Sequence, residues 1–354
     1  MKKDTPTHYG LGIDVSKKEL YVHFMSKDGS DCIKIRGKRK FDNTASGIAQ
    51  LGKWIEKHRK DKGLDFRVYL EVTGVYHERV LFSLHEEGYC VSLLMGKRVK
   101  AYGKSLGEDS KNDQRDSYVL GHMALSRKER VWKPVSTHFL AIRSLMRLRR
   151  SLINNRVAYQ NQLHANSYST HTSGLVTDTL TEAIQQIKEQ IQLLEQKALE
   201  LAEQDPELSE QMHRIVDSLD GIAMISLLEI ISETNGFSEF HSINQLVKYV
   251  GLDIIENQSG KLAGKTRISK QGNARIRSAL YMPVLTIIRQ KSQPFFPLYL
   301  RVLQRNPKIK KKAMVAVQRK LLILIFVLWK KKQAFDPNYK WNQSCQPKRE
   351  VALN

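Results

Sequence analysis

Along the N-terminal third of the chain, hydrophobic residues come as short runs broken by turn residues. Beyond it they recur at every third or fourth position. The first run, from Tyr9, is strand-like and carries one carboxylate, Asp14; a turn at Ser16 to Lys18 leads to a second strand, Glu19 to Phe24. Cys32 to Phe41 alternates as a third, basic strand. Ser46 to Arg59 has helical period, with Ile48, Leu51, Trp54 and Ile55 on one face. Phe66 to Gly74 reads as a strand carrying Glu71, Tyr76 to Glu87 as a helix closed by Gly88, and Tyr89 to Met95 as another strand. The order β-β-β-α-β-α-β predicts a mixed, centrally parallel sheet with helices packed on it, an α/β architecture. Gly107 to Ala124 starts polar and turns helical, and places Asp113 and Asp116 three apart on one helix face.

The remainder reads as α. His138 to about Gln162 is helical and very basic: Leu145, Leu148, Leu152 and Val157 are set among Arg143, Arg147, Arg149, Arg150 and Arg156. Leu180, Ile184, Ile187, Ile191, Leu194, Ala198 and Leu201 repeat at four-three spacing, a heptad seam that Pro206 is expected to end. Asn166 to Thr177 is the expected turn, and an antiparallel pair or a dimerising coiled coil the expected form. From His213 a second globular unit is predicted, with a helix–Gly turn–helix over Leu219 to Glu233 and a helix from Phe240 to Gly251. Behind a Gly-rich basic segment, Gln258 to Arg277, come helices over Ile276 to Lys291, Phe296 to Gln304 and Lys312 to Trp329, then a polar tail after Phe335. The expected divisions are residues 1–130, an acidic metal-binding domain; 131–210, a helical linker and dimerisation segment; 211–335, a C-terminal domain; and 336–354, the tail.

Charge changes this picture. The 354 residues carry a formal net charge of +22. From Ser259 onward 22 Lys/Arg face only Asp336 and Glu350, a net of +20; the first 258 residues hold 36 basic and 34 acidic groups and are nearly neutral. Clustered Lys/Arg neutralising phosphate is the main sequence-independent term in nucleic-acid binding, so nucleic acid is the expected partner and an anionic membrane the weaker alternative. Lys261, Lys265, Arg267, Lys270, Arg275, Arg277, Lys310, Lys311, Lys312 and Arg319 are the candidate phosphate contacts. Cys32, Cys90 and Cys345 stand far apart with no metal-ligand spacing, which argues for a reducing compartment. No signal region opens the chain, and the longest apolar run, Leu321 to Trp329, is short of the ~20 residues a bilayer takes. A cytoplasmic protein is expected.

The chemistry lies in the acids. A carboxylate within a buried strand is costly unless it is paired or holds a cation, so Asp14 is either salt-bridged or a site. If the sheet forms as read, Asp14 and Glu71 are neighbours and the helix bearing Asp113 and Asp116 closes over them. Four converging carboxylates require cations. Two Mg²⁺ about 3.5–4 Å apart would satisfy them and suit phosphoryl transfer. Ser259 sits beside cations in a Ser-Gly pair; a serine in such a loop is, taken alone, more often a surface residue than a nucleophile.

This arrangement resembles the ribonuclease-H-like fold in its Holliday-junction-resolvase (RuvC-like) branch. Gly12-Ile-Asp-Val-Ser-Lys17, Glu71-Val-Thr-Gly-Val-Tyr76 and Lys111-Asn-Asp-Gln-Arg-Asp-Ser117 are similar to the three acidic motifs of the DEDD insertion-sequence transposases, the IS110 family, related to the pilin-inversion recombinases. Asp220-Gly-Ile-Ala, Leu246 to Leu252, Gln258-Ser-Gly260, Arg267 to Arg277 and Arg319-Lys-Leu-Leu322 fall in the same family's order. Asn112 and Ser117 stand where Thr and Ala are usual, and Asp220 and Ala223 where Pro and Gly are frequent. The resemblance implies a RuvC-like N-terminal domain binding Mg²⁺ through Asp14, Glu71, Asp113 and Asp116. It also implies that Ser259 attacks a DNA phosphate to form a covalent phosphoserine. Further implications are donor and target DNA selected by a structured guide (bridge) RNA, and a dimer that assembles into a tetramer in a prokaryotic cytoplasm. The competing reading is a RuvC-like nuclease that uses water and needs no serine.

Overall fold

The computed structural model describes residues 5–107, 113–134, 136–255, 258–259, 262–263, 267–305 and 307–338; the side chains of 113, 114, 258, 259, 262 and 263 lie outside that description. The chain divides into two compact units, Met1–Pro134 and Val135–Asn354.

The first unit is built on five strands: β1 (Pro6–Val15), β2 (Glu19–Asp28), β3 (Ile33–Asp42), β4 (Asp65–Glu71) and β5 (Val91–Leu94). Their spatial order is β3-β2-β1-β4-β5. The β1–β2 and β2–β3 pairs are antiparallel; β1–β4 and β4–β5 are parallel. Four helices accompany them: α1 (Ala45–His58), α2 (Glu78–Glu86), α3 (Gly96–Ser105) and α4 (Asp113–Ser126). The β period of two sorts β1 cleanly. Leu11, Ile13 and Val15 are buried with Leu51 and Ile55 of α1 and Val80, Leu81 and Leu84 of α2. The other face carries Gly10, Gly12 and Asp14. There Tyr69 and Leu94 pack with Val99 and Tyr102 of α3 and Val119, Leu120 and Met123 of α4. The sheet is thus covered on both faces, and a strand covered on both faces reads as a nearly continuous apolar run.

Several boundaries differ from the sequence reading. Asp14 is not mid-strand but the penultimate residue of β1, and β4 ends at Glu71 rather than running to Gly74, whose φ of +53° turns the chain. Both carboxylates therefore stand at strand ends, where ligands are accessible. Helix α3 was not expected; Val99 and Tyr102 are its buried stripe, and the dense Lys/Arg around them hid the period.

In the second unit, α5 (Thr137–Asn166) and α6 (Gly174–Glu203) run antiparallel, joined by Arg149 Nε donating to Glu195 Oε1 at 2.6 Å. Of the heptad positions on α6, Ile184, Ile191 and Ala198 are buried, and the intervening Leu180, Ile187, Leu194 and Leu201 are half-buried. The inner face of α5 differs from expectation. Ile142 and Met146 are its buried residues, whereas Leu148 and Val157 are 51% and 46% exposed. Pro206 does not merely stop α6. Asp205 accepts from Leu208 N, and Pro206 opens α7 (Pro206–Val216), where its missing N–H costs nothing.

The helices α8 (Met224–Thr234), α9 (Ile243–Val250), α10 (Ala274–Ala279), α11 (Tyr281–Gln290), α12 (Phe295–Arg305) and α13 (Lys310–Lys331) complete the unit. The helix expected over Ile276 to Lys291 is thus two, broken at Leu280. Leu321, Leu322, Ile325 and Trp329 of α13 share one core with Leu227, Leu228, Ile230 and Ile231 of α8 and with Ile142 and Ala198 of the long hairpin. Between α9 and α10 lie four two-residue strands: β6 (Ile254–Ile255), β7 (Gln258–Ser259), β8 (Leu262–Ala263) and β9 (Arg267–Ile268). β6 pairs with β9 and β7 with β8, two nested antiparallel hairpins. Among the described residues, no helix is long and apolar enough to cross a membrane. The tail beyond Asn338 lies outside the described residues.

Candidate active site

Ile13 of β1 pairs with Leu70 of β4, so Asp14 and Glu71 each stand one residue further on, side by side at the ends of adjacent parallel strands. Neighbouring strands are ~4.8 Å apart and opposed residues share a face, so the two carboxylates project to the same side. That side is the one α4 covers. Its approach depends on Gly12. A Cβ built there would lie 2.1 Å from Ser117 O and 2.2 Å from Gly121 N, closer than any side chain permits. Bare backbone at Gly12 lets the first turns of α4, which carry Asp116, rest directly on the strand that carries Asp14.

Glu71 is held from the other side. The α-carbon of Gly96, first residue of α3, is so close that an added Cβ would meet Glu71 Oε1 at 2.3 Å. A carboxylate at a helix N-terminus is favoured by the unpaired N–H groups and dipole there. Asp14, Glu71 and Asp116 are all half-buried, and each has polar or charged neighbours. The Asp113 side chain lies outside the described residues, and among those described no three His, Cys, Asp or Glu groups form a metal-ligating cluster. The structure thus brings Asp14 and Glu71 together and lays the Asp116 helix over them. Their oxygen-only donor chemistry fits a hard divalent cation.

Beneath the acids, His23 of β2 pairs across from Gly12 and is buried, with Nδ1 2.9 Å from Ser117 Oγ. This gives a role to Ser117, which departs from the family's usual alanine. Loss of water, and secondarily the charge of Lys38, push the His23 imidazole down to about 4, so it is neutral at physiological pH.

In the second unit, the backbone of Ser259 is paired with Leu262 in the β7–β8 hairpin; its side chain, like Lys261 and Lys265, lies outside the described residues. The base of this segment is tightly laced. Arg277 Nη1 donates to Val250 O at 2.6 Å, Ser269 Oγ donates to the Asp253 carboxylate, and Asn273 caps α10 through Arg275 N and Ile276 N. Arg267, Lys270 and Arg275 are exposed, Arg275 lying 4.0 Å from Glu233; Lys310, Lys311 and Lys312 are exposed at the start of α13, and Arg319 is half-buried. Of the expected phosphate contacts, Arg277 is therefore engaged with backbone carbonyls.

Sequence reasoning missed one polar cluster. Glu229 of α8 is 3% exposed and takes Arg150 through both carboxylate oxygens, at 2.8 Å each. Glu233, one turn on, takes Arg147 Nε at 2.7 Å and Asn273 Nδ2 at 2.8 Å. Burial pushes Glu233 up, but Arg147, Asn273 and Arg275 outweigh it and hold the carboxyl below its ordinary value. Four of the five arginines of α5 are engaged with α8: Arg147 and Arg150 as above, Arg149 Nη1 with Glu229 Oε2 at 3.5 Å, and Arg143 donating to Ser232 O at 2.8 Å. The one available signal was two acids four apart in an otherwise apolar helix.

Two family profiles match. Residues 11–166 match a DEDD profile described as transposase, and residues 213–299 a profile described as transposase IS116/IS110/IS902 family; together they span more than half of the chain. The pilin gene-inverting protein of Moraxella bovis is 25% identical over 335 residues, covering 92% of this chain and 97% of that protein. The Moraxella lacunata protein of the same description is 25% identical over 333 residues, with the same coverage. With acids at the ends of adjacent central strands, a helix laid over them and both profiles in order, the chain belongs to the IS110 family of transposases, DNA recombinases of insertion sequences.

Proposed function

We propose that this transposase cuts and rejoins DNA through a phosphoserine at Ser259, with Mg²⁺ held by Asp14, Glu71, Asp113 and Asp116. The observation that carries the reading is the register placing Asp14 beside Glu71, with α4 against Gly12. When bound, the metal supplies charge neutralisation at the reacting phosphate. Ser259 Oγ forms the new bond to phosphorus, the bond from phosphorus to the 3′ oxygen breaks, and the serine proton ends on that oxygen. The strand is left joined to protein through its 5′ phosphate, and reversal on a new 3′ hydroxyl reseals it. Arg267 and Lys270, with Lys261 and Lys265, are assigned to the flanking phosphates. Donor and target DNA are the substrates and a structured RNA the guide, which the +20 charge beyond residue 258 supports. A dimer through the α5–α6 hairpin, doubled to a tetramer, is the proposed assembly. The four-part division at residues 130, 210 and 335 is retained as a functional one: metal site, assembly segment, serine domain and tail.

The test is a denaturing gel of the full chain with DNA spanning the border of its element. Wild type should give a covalent adduct, Ser259→Ala none, and Ser269→Ala a normal one, because Ser269 is occupied with Asp253. Asp14→Asn and Glu71→Gln should also abolish the adduct, as should removal of divalent metal. Cleavage by Ser259→Ala without adduct would make the protein a nuclease that uses water. An adduct mapping to Ser269 would refute the serine assignment.

A further inference from the structure

The sheet face that carries Asp14 continues past β1 onto β2 and β3. Asp14 pairs with Tyr21 of β2, and Tyr21 with Lys40 of β3; one step along, Gly12 pairs with His23, and His23 with Lys38. Opposed residues share a face, so Lys40 ends the row that begins at Asp14, and Lys38 ends the neighbouring row that begins at Gly12. Lys40 Nζ lies over the Tyr21 ring, 5.5 Å from its centroid, as that register requires. The helix on this face packs on β1, β2 and β4, and β3 is the edge strand. Both lysines are exposed there, Lys40 by 51% of its side chain. The separation from β1 is two strand spacings, roughly 10 Å, which keeps the phosphates met there close along the strand to the one at the acids.

We propose that Lys38 and Lys40 on the edge of β3 bind backbone phosphates of the DNA strand being cut, a few nucleotides from the phosphate held at Asp14 and Glu71. This rests on the reading that those acids form the reacting centre. Charge selects the occupant. A path leading away from a carboxylate pair onto exposed lysines suits a polyanion that must carry one phosphate to the metal and anchor the next ones. Lys40 is within 2.6 Å of Glu19, but exposed ion pairs contribute little, and exchange of that partner for phosphate is cheap.

The experiment uses the full chain and duplex DNA from the border of its element, with 4-thiothymidine two to four nucleotides from the cut on the cleaved strand. Irradiation should crosslink this strand to the peptide containing residues 33–42, and should do so equally in Asp14→Asn, which does not cleave. Lys38→Ala with Lys40→Ala should lower the cleavage rate at least tenfold. It should reduce the slope of log affinity against log salt by about 1.8, as loss of two phosphate contacts to duplex DNA predicts; the double Arg variant should restore both. Lys53→Ala with Lys57→Ala, on α1 across the sheet, should change neither. The proposal is overturned by an unchanged rate and slope, by an equal loss in the α1 pair, or by a crosslink to this peptide from RNA but not from the cut strand. Normal cleavage by Asp14→Asn would instead refute the reacting centre.

Discussion

A side chain that is absent, at Gly12, decides how near α4 comes to the sheet, and His23 on the next strand fills the space beside that contact. Its neutral state has a consequence for stability. The folded value of about 4 lies below the ~6.5 of an unfolded histidine, so the folded chain binds fewer protons. The contribution is full above pH ~6.5 and is lost as pH falls towards 4, on the order of 3 kcal/mol across that window. Denaturant titrations at pH 7 and pH 4.5 should show wild type losing clearly more stability than His23→Gln, whose amide still reaches Ser117. Equal losses would mean that His23 is solvated. Asp14 and Glu71 were legible from sequence because a lone carboxylate in an apolar run stands out. Glu229 and Glu233 were not, because acids in a helix ordinarily face water, and only the tertiary packing of α5 buries these two.

At the scale of elements, the α5–α8 contact adds buried ion pairs to the apolar core that Ile142 and Met146 share with α8. Removing one partner of a buried pair leaves a charge uncompensated and costs about 3–5 kcal/mol. Glu229→Ala should therefore destabilise the second unit by roughly that amount, since Arg149 and Arg150 both face it. Thermal melts should show one unit falling and the other unchanged; a shift under 1 kcal/mol would show that water replaces the carboxylate. The heptad was legible in α6 because seven apolar residues repeat without a break. The facing helix was not, because α5 turns Ile142, Met146 and Arg149 inward and leaves Leu148 outside, a choice that the partners on α6 and α8 impose.

At the scale of the whole molecule, that leftover surface bears on assembly. Leu148 on α5 and Leu193 on α6 are 51% and 66% exposed. If the hairpin joins two copies, Leu148→Asp with Leu193→Asp should halve the mass by light scattering while circular dichroism is retained. An unchanged mass would remove this face from the assembly. Ile191→Asp would be a poor test, since that residue is buried inside its own chain. By itself the sequence determined the β-β-β-α-β-α-β order, the two charge regimes, the helical second half and the acidic motifs. All of these are local: period, turn residues and composition act within a few residues of one another. Only the tertiary structure decided that Asp14 and Glu71 stand abreast at strand ends, because strand register is set by the pairing of distant segments. The same non-local pairing directs the α5 arginines to buried glutamates and leaves Lys38 and Lys40 on the open edge of the acidic face, since which side chains meet, and which remain in water, follows from packing rather than from any stretch of chain.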